Sequence, residues 1–411
     1  MITATGSSRQ PITPNTAGPS ERDLPVHAES GTCARPIHTA GFPGQPAAVP
    51  IRSQRSCLDP ATTTQTSGIS DPRAASPRVA DVPGPGLALP DWRQGLREAV
   101  TDPRELLELL QLPQLAARLP AADAGFPLRV PRAFIRRMRQ GDARDPLLLQ
   151  VLPQSAELDV TPGFSDDAVG DLGAIKAHGV IHKYQGRALL IAAGSCAVNC
   201  RYCFRRHFPY AEEIAAAHAW REAIDCLAED DSIREVILSG GDPLVLSTQK
   251  LTDLTQALRA LPHVVRLRIH SRLPVVLPER IDATLCAWLA NLPLQRVVVL
   301  HANHPNELDA SVGAACARLR DAGATLLNQS VLLRGINDDA EALSGLSERL
   351  FEFGVLPYYL HQLDRVRGAA HFGVPDARAR EILDQLRHRL PGYLVPRLVR
   401  EVPGEPAKRP V

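Results

Sequence analysis

The chain has 411 residues, with 46 Lys and Arg against 45 Asp and Glu and a hydrophobic fraction of 44%, enough length for a sizeable core in one or two domains. A formal net charge of +1 gives no electrostatic reason to expect general binding to nucleic acid or to an anionic membrane. No apolar run approaches the ~18–20 residues of a membrane helix, and the amino-terminal stretch lacks the apolar centre of a secretory signal, so a soluble cytoplasmic protein is expected.

Residues 1–90 hold 14 of the 36 prolines, no lysine, and many Ser, Thr, Gly and Arg. Neither strand nor helix periodicity runs through them. Such a composition cannot bury enough apolar surface to offset the entropy of ordering, so a disordered extension is expected. A start further in is the alternative; Met138 is the only other methionine, so that start would need a different codon.

A helical lead-in is expected over residues 91–178. Asp91-Trp92-Arg93 opens one helical pattern. Asp102-Pro103 opens a second, with Leu106, Leu107, Leu109 and Leu110 as its apolar face. Val130-Pro131-Arg132 opens a third that runs through Met138.

Over residues 179–395 the pattern becomes strand, turn, helix, repeated. Strands are expected at Arg187–Ala193, Glu235–Leu238, Val264–Ile269, Arg296–Leu300, Thr325–Leu327 and Val355–Leu360, with helices such as Gln249–Leu261 and Glu307–Ala322 between them. This alternation predicts an α/β fold built on a parallel sheet, either open or partly closed into a barrel. In both forms chemistry belongs at the carboxyl ends of the strands.

Three of the eight cysteines sit together as Cys196-x-x-x-Cys200-x-x-Cys203, directly after the first of these strands. In a cytosolic chain such clustered thiols suit metal ligation better than disulfides. Three ligands are one short of a closed zinc site or a fully ligated cluster. Either a fourth comes from afar, or the vacant coordination position is the working one, as in a [4Fe–4S] cluster with one iron free to be chelated. A structural zinc knuckle and three unrelated cysteines are the alternatives at this level.

The run from Cys196 through Cys203-Phe204-Arg205-Arg206-His207-Phe208-Pro209-Tyr210 resembles the radical S-adenosylmethionine enzymes, and within them the lysine 2,3-aminomutase family. So do Leu267-Arg268-Ile269-His270-Ser271-Arg272-Leu273-Pro274, the stretch Leu327–Arg334, and Pro357-Tyr358-Tyr359-Leu360-His361. The likeness covers about residues 90–411 and is strongest to the branch that supplies β-lysine for modifying translation elongation factor P. It implies a partial (β/α)6 barrel of the TIM type.

It also implies roles for single residues. Cys196, Cys200 and Cys203 would bind a [4Fe–4S] cluster. Gly240, Gly241 and Asp242, in the turn Ser239-Gly240-Gly241-Asp242-Pro243, together with His301 and Gln329, match positions that contact S-adenosylmethionine. Lys408, in Gly404-Glu405-Pro406-Ala407-Lys408-Arg409-Pro410, matches the lysine that anchors pyridoxal 5′-phosphate; among only four lysines (Lys176, Lys183, Lys250 and Lys408) it is the one in register. Without the resemblance it reads as a solvated tail lysine. Arg187 matches a position near that cofactor. Arg205 matches the arginine for the substrate carboxylate. Asp364 and Glu401 match two acidic positions for the substrate ε-ammonium, the second of which is aspartate in free-standing lysine mutases.

The implied reaction is the migration of an amino group from Cα to Cβ of L-lysine, giving β-lysine, with an electron donor such as flavodoxin or ferredoxin and with the elongation factor P ligase system downstream. Free-standing relatives continue into a zinc-binding segment beyond the lysine loop; this chain stops at Val411, so no structural zinc is expected. Two other functions compete: the same chemistry on another amino acid such as glutamate, and a non-catalytic iron or zinc module that binds RNA or a translation factor.

Overall fold

The structure, a computed structural model, describes residues 91–120, 125–215 and 220–411. The expected disordered extension over residues 1–90 lies outside the described residues.

The sheet begins as a meander. β1 (Ile175–Ala177) pairs antiparallel with β2 (Val180–Tyr184), and β2 pairs antiparallel with β3 (Arg187–Ala193). Gly186, with φ of 77°, supplies the left-handed residue that the β2–β3 turn requires. From β3 onward every neighbour is parallel through β4 (Glu235–Gly240), β5 (Arg266–Ser271), β6 (Gln295–His301), β7 (Thr325–Leu332), β8 (Leu356–Gln362) and β9 (Arg397–Arg400). β10 (Arg409–Pro410) then returns antiparallel to β9.

Helices Arg221–Ala228, Thr248–Leu258, Ala283–Ala290, Ala310–Asp321, Ala340–Glu352 and Asp376–Arg389 follow β3 to β8 in turn. Four of them start at a side-chain cap: Ser247, Asp282, Asp309 and Asp339 each accept from a backbone N–H of the first turn. They are short, so packing rather than propensity holds them. On Thr248–Leu258 the buried Leu251, Leu254 and Leu258 lie on one face, each contributing about 1.5–3 kcal/mol by burial.

Strand alternation divides the sheet's two faces. Leu190, Val236, Leu238, Leu267, Ile269, Val298 and Leu300 are buried in the apolar core. Their neighbours, among them Leu189, Ile237, Arg268 and His270, line an internal cavity instead. The architecture is a partial (β/α)6 barrel, and no backbone ladder joins its first strand to its last. The two margins nevertheless meet through side chains: Lys183 of β2 donates to Glu401, the residue after β9, at 3.0 Å.

All six expected strands are present, with ends displaced by a few residues. The sheet also takes in β1, from the expected helical lead-in, β2, just ahead of the first expected strand, and β9 and β10, near the carboxyl end. Those strands are short and carry charged residues, so no apolar run marked them. The lead-in holds helices Trp92–Arg97 and Pro103–Leu109, capped by Asp91 and Asp102. The third expected helix is a single turn, Arg132–Ile135, rather than a run to Met138. Leu106, Leu107 and Leu110 are buried as expected, whereas Leu109 is exposed. No helix among the described residues is long and apolar enough to cross a membrane.

Candidate active site

The loop after β3 carries the three clustered cysteines, and the lead-in grips it. Arg201 is fully buried; it donates from Nε to Glu157 at 2.8 Å, and Arg206 donates to the same carboxylate at 2.8 Å. Burial alone would raise the Glu157 pKa, but the two guanidiniums win and hold it below the usual carboxylate range. Backbone bonds from Asn199 to Arg129 (3.0 Å) and from Arg201 to Gln150 (2.9 Å) complete the grip.

Cys196, Cys200 and Cys203 all line one cavity of about 760 Å³. Burial, reinforced by the neighbouring thiols, pushes Cys196 upward and Cys203 to about 11. In the free chain Cys196 and Cys203 are therefore neutral thiols, and a bound cation would reverse that balance. Among the described residues no three His, Cys, Asp or Glu side chains gather closely enough to hold a single ion. Three soft donors on one wall, opening into space, are the donor set that suits a cluster.

The Gly-Gly turn after β4 packs directly on this loop. Gly241 N–H donates to Ala193 O at 2.7 Å and Asp242 N–H to Ser195 O at 2.9 Å. A Cβ on Gly241 would lie 2.4 Å from Ser195 O, and Gly240 has φ of 112° with its Cβ position 2.6 Å from Ala193 O. The two glycines are thus required by the neighbouring backbone, and both also line the cavity. Asp242 lines the cavity too, but its side chain is taken up by the scaffold. Its carboxylate is saturated, accepting from Ser271 Oγ (2.8 Å) and from the backbone N–H groups of Leu244, Arg272 and Leu273 (3.0, 2.7 and 3.1 Å). It clasps the end of β4 to the end of β5.

Near the carboxyl end Arg409 pairs with Arg400, and that register sets Lys408 across from Glu401. Lys408 Nζ donates to Glu401 Oε2. Glu401 Oε1 accepts from Lys183, whose Nζ also meets Asp171 at 2.6 Å. Asp171 Oδ2 accepts from Arg205 Nε at 2.6 Å, and Arg205 Nη1 donates to Ser239 Oγ at 3.0 Å. Burial would raise the Glu401 pKa, but the two ammonium groups lower it to about 2. Sequence reasoning missed Lys183 and Asp171, which link these expected residues. Arg205 and Glu401 both line the cavity, and each is already engaged within this chain of charges.

Asp364 stands apart. Its Oδ1 is shut off from solvent without a hydrogen bond, and burial, with Glu401 adding repulsion, raises its pKa to about 7. The Nε2 atoms of His270 and His361 are equally shut off and unpartnered. His301 and Gln329 are register partners across β6 and β7, with their side chains in contact at 3.0 Å. Burial lowers both His301 and His361 to about 3, so both imidazoles are neutral. Arg187 lies over the Tyr184 ring at 4.5 Å and makes no ion pair among the described residues. Every one of these residues lines the same cavity.

A model described as a 4Fe-4S single cluster domain matches residues 185–265. The chain is 50% identical over 325 residues to an L-lysine 2,3-aminomutase of Escherichia coli, covering 78% of this chain and 94% of that one. The chain belongs to the L-lysine 2,3-aminomutase family. The family's enzyme from Haemophilus influenzae is 48% identical over 77% of this chain and 94% of its own length. That of Clostridium subterminale is 34% identical over 78% and 77%. A solved radical SAM methyltransferase from Sphaerobacter thermophilus overlays with a TM-score of 0.38 at 18% identity, covering 54% of this chain and 68% of that one. Members of this family are isomerases, and the match to a 4Fe-4S cluster domain falls on the stretch that carries the three cysteines.

Proposed function

We propose that this chain converts L-lysine to β-lysine with pyridoxal phosphate as its second cofactor, and that the β-lysine serves modification of elongation factor P. The observation that carries the reading is one cavity with three thiols on one wall, the Lys408 amine on another, and an unpartnered Asp364 carboxylate within it. When bound, the cluster and S-adenosylmethionine supply radical chemistry, and pyridoxal phosphate supplies a conjugated ring that delocalises an unpaired electron.

The chain's own residues do the rest. Cys196, Cys200 and Cys203 hold the cluster. Lys408 anchors pyridoxal phosphate, and Arg187, free of any ion pair among the described residues, suits its phosphate. Arg205 is fixed by Asp171 through Nε and by Ser239 through Nη1, which presents a preset guanidinium for a carboxylate. Asp364 takes the substrate ε-ammonium, whose charge it lacks in the free chain. Neutral His270, His301 and His361 line the walls without offering a stray proton.

Asp364 also disfavours glutamate as substrate, because it would repel a γ-carboxylate. Electrons would come from a one-electron donor of the flavodoxin or ferredoxin kind in the cytoplasm. The test is anaerobic reconstitution with iron, sulfide and pyridoxal phosphate, followed by lysine turnover under reducing conditions with β-lysine measured by mass. Lys408→Ala should abolish the pyridoxal absorbance and the turnover. Full iron and pyridoxal loading of the unaltered chain with no β-lysine formed would overturn the proposal.

A further inference from the structure

A buried arginine from the end of β5 touches the cysteine loop. Arg272 Nη1 donates to Cys200 Sγ. Its Nη2 donates to Gln150 Oε1 at 2.7 Å and to Glu307 Oε2 at 3.0 Å. The guanidinium packs over the Phe134 and Tyr202 rings, at 5.4 and 5.7 Å, and its backbone N–H is held by Asp242. Arg272 is 5% exposed and Glu307 is fully buried. Glu307 is itself fixed through Oε1, which accepts from Gln150 Nε2 (3.0 Å) and the Asn303 N–H (2.8 Å). Both side chains are thus buried and held on more than one side.

We propose that Arg272 and Glu307 set the reduction potential of the cluster held by Cys200, acting with opposite signs. Reduction adds one electron from a low-potential donor to the cluster and transfers no atom. The reduced cluster is one charge more negative. A guanidinium bonded to a ligating sulfur stabilises that extra charge and raises the potential. Glu307 is the countercharge one position further out; it damps the arginine's field and lowers the potential. In a dry site both effects act with little screening. The pair is therefore a positioning and tuning device for electron uptake.

This inference rests on the reading of Cys200 as a cluster ligand, and iron content tests that reading separately. Arg272→Met and Glu307→Gln are reconstituted anaerobically beside the unaltered chain. Iron is counted, and the cluster is titrated with dithionite while the reduced signal is followed by electron paramagnetic resonance. The expected result is a lower potential for Arg272→Met and a higher one for Glu307→Gln, at equal iron content. Shifts in the same direction, or no shift in either, would overturn the proposal, because a merely structural pair disturbs the loop alike from both sides. Should Arg272→Met not retain iron, Glu307→Gln decides alone: a raised potential supports the proposal and an unmoved or lowered one refutes it. An unaltered chain that binds no iron would sink the cluster reading instead.

Discussion

Asp364→Asn removes one charge while keeping the shape of the side chain. The carboxyl pKa moves from 3.8 to about 7 on folding, chiefly through burial. That difference is worth about 4 kcal/mol. The sign follows from proton binding. Between about pH 4 and pH 7 the folded chain keeps this proton after the unfolded chain has lost it. The group's contribution is therefore complete below the unfolded value and lost as pH rises through 7. The variant lacks that decline. It should match the parent near pH 4 and exceed it in stability by up to a few kcal/mol at pH 8. Lysine binding should respond in the opposite sense. Losing a charge-assisted contact to the ε-ammonium costs about 1.5–3 kcal/mol, or about a 10- to 100-fold rise in the lysine KM. The assays are urea unfolding of the cofactor-free chain from pH 4 to 8 and lysine kinetics of the reconstituted enzyme. Parallel stability profiles for the two chains, or a KM changed less than twofold, would refute the reasoning.

Two further substitutions test the scaffold under the cysteines. Gly241→Ala places a Cβ 2.4 Å from Ser195 O; backbone must move, so unfolding free energy should drop by about 2–4 kcal/mol and iron retention should fall with it. Glu157→Gln leaves Arg201 and Arg206 without their countercharge, and urea unfolding should show a loss of about 3–5 kcal/mol at pH 7. Because the Glu157 pKa is lowered on folding, the parent's advantage over this variant should shrink as pH falls below the usual carboxylate range.

The six central strands were legible because buried parallel strands read as short apolar runs between turn residues. β9 was not, since Arg397–Arg400 begins and ends on arginine and only Leu398 and Val399 point to a strand. The cavity residues Cys196, Cys200, Cys203, Lys408, Asp364, His301 and Gln329 were legible through motif resemblance. Lys183 and Asp171 were not, for a physical reason: Lys183 meets Glu401 across 218 residues of sequence, and no local pattern encodes a partner that distant. The role of Arg272 could have been sought, since it lies inside a stretch singled out beforehand; its contact with Cys200 depends on β5 ending beside the cysteine loop. Asp242 is a similar case. Motif position singled it out, but the four donors converging on its carboxylate, from the ends of β4 and β5, had no local signal.

The meeting of Lys183 and Glu401 also bears on traffic through the barrel. Ladder bonds along a closing strand would have to be surrendered several at a time for the wall to part. Here the suture is a stitch of ammonium and carboxylate groups, and a gap along it costs a few side-chain contacts while every strand keeps its neighbours. The thread ends at the very lysine that would carry the cofactor, so loosening the wall and loading the interior draw on the same three charges.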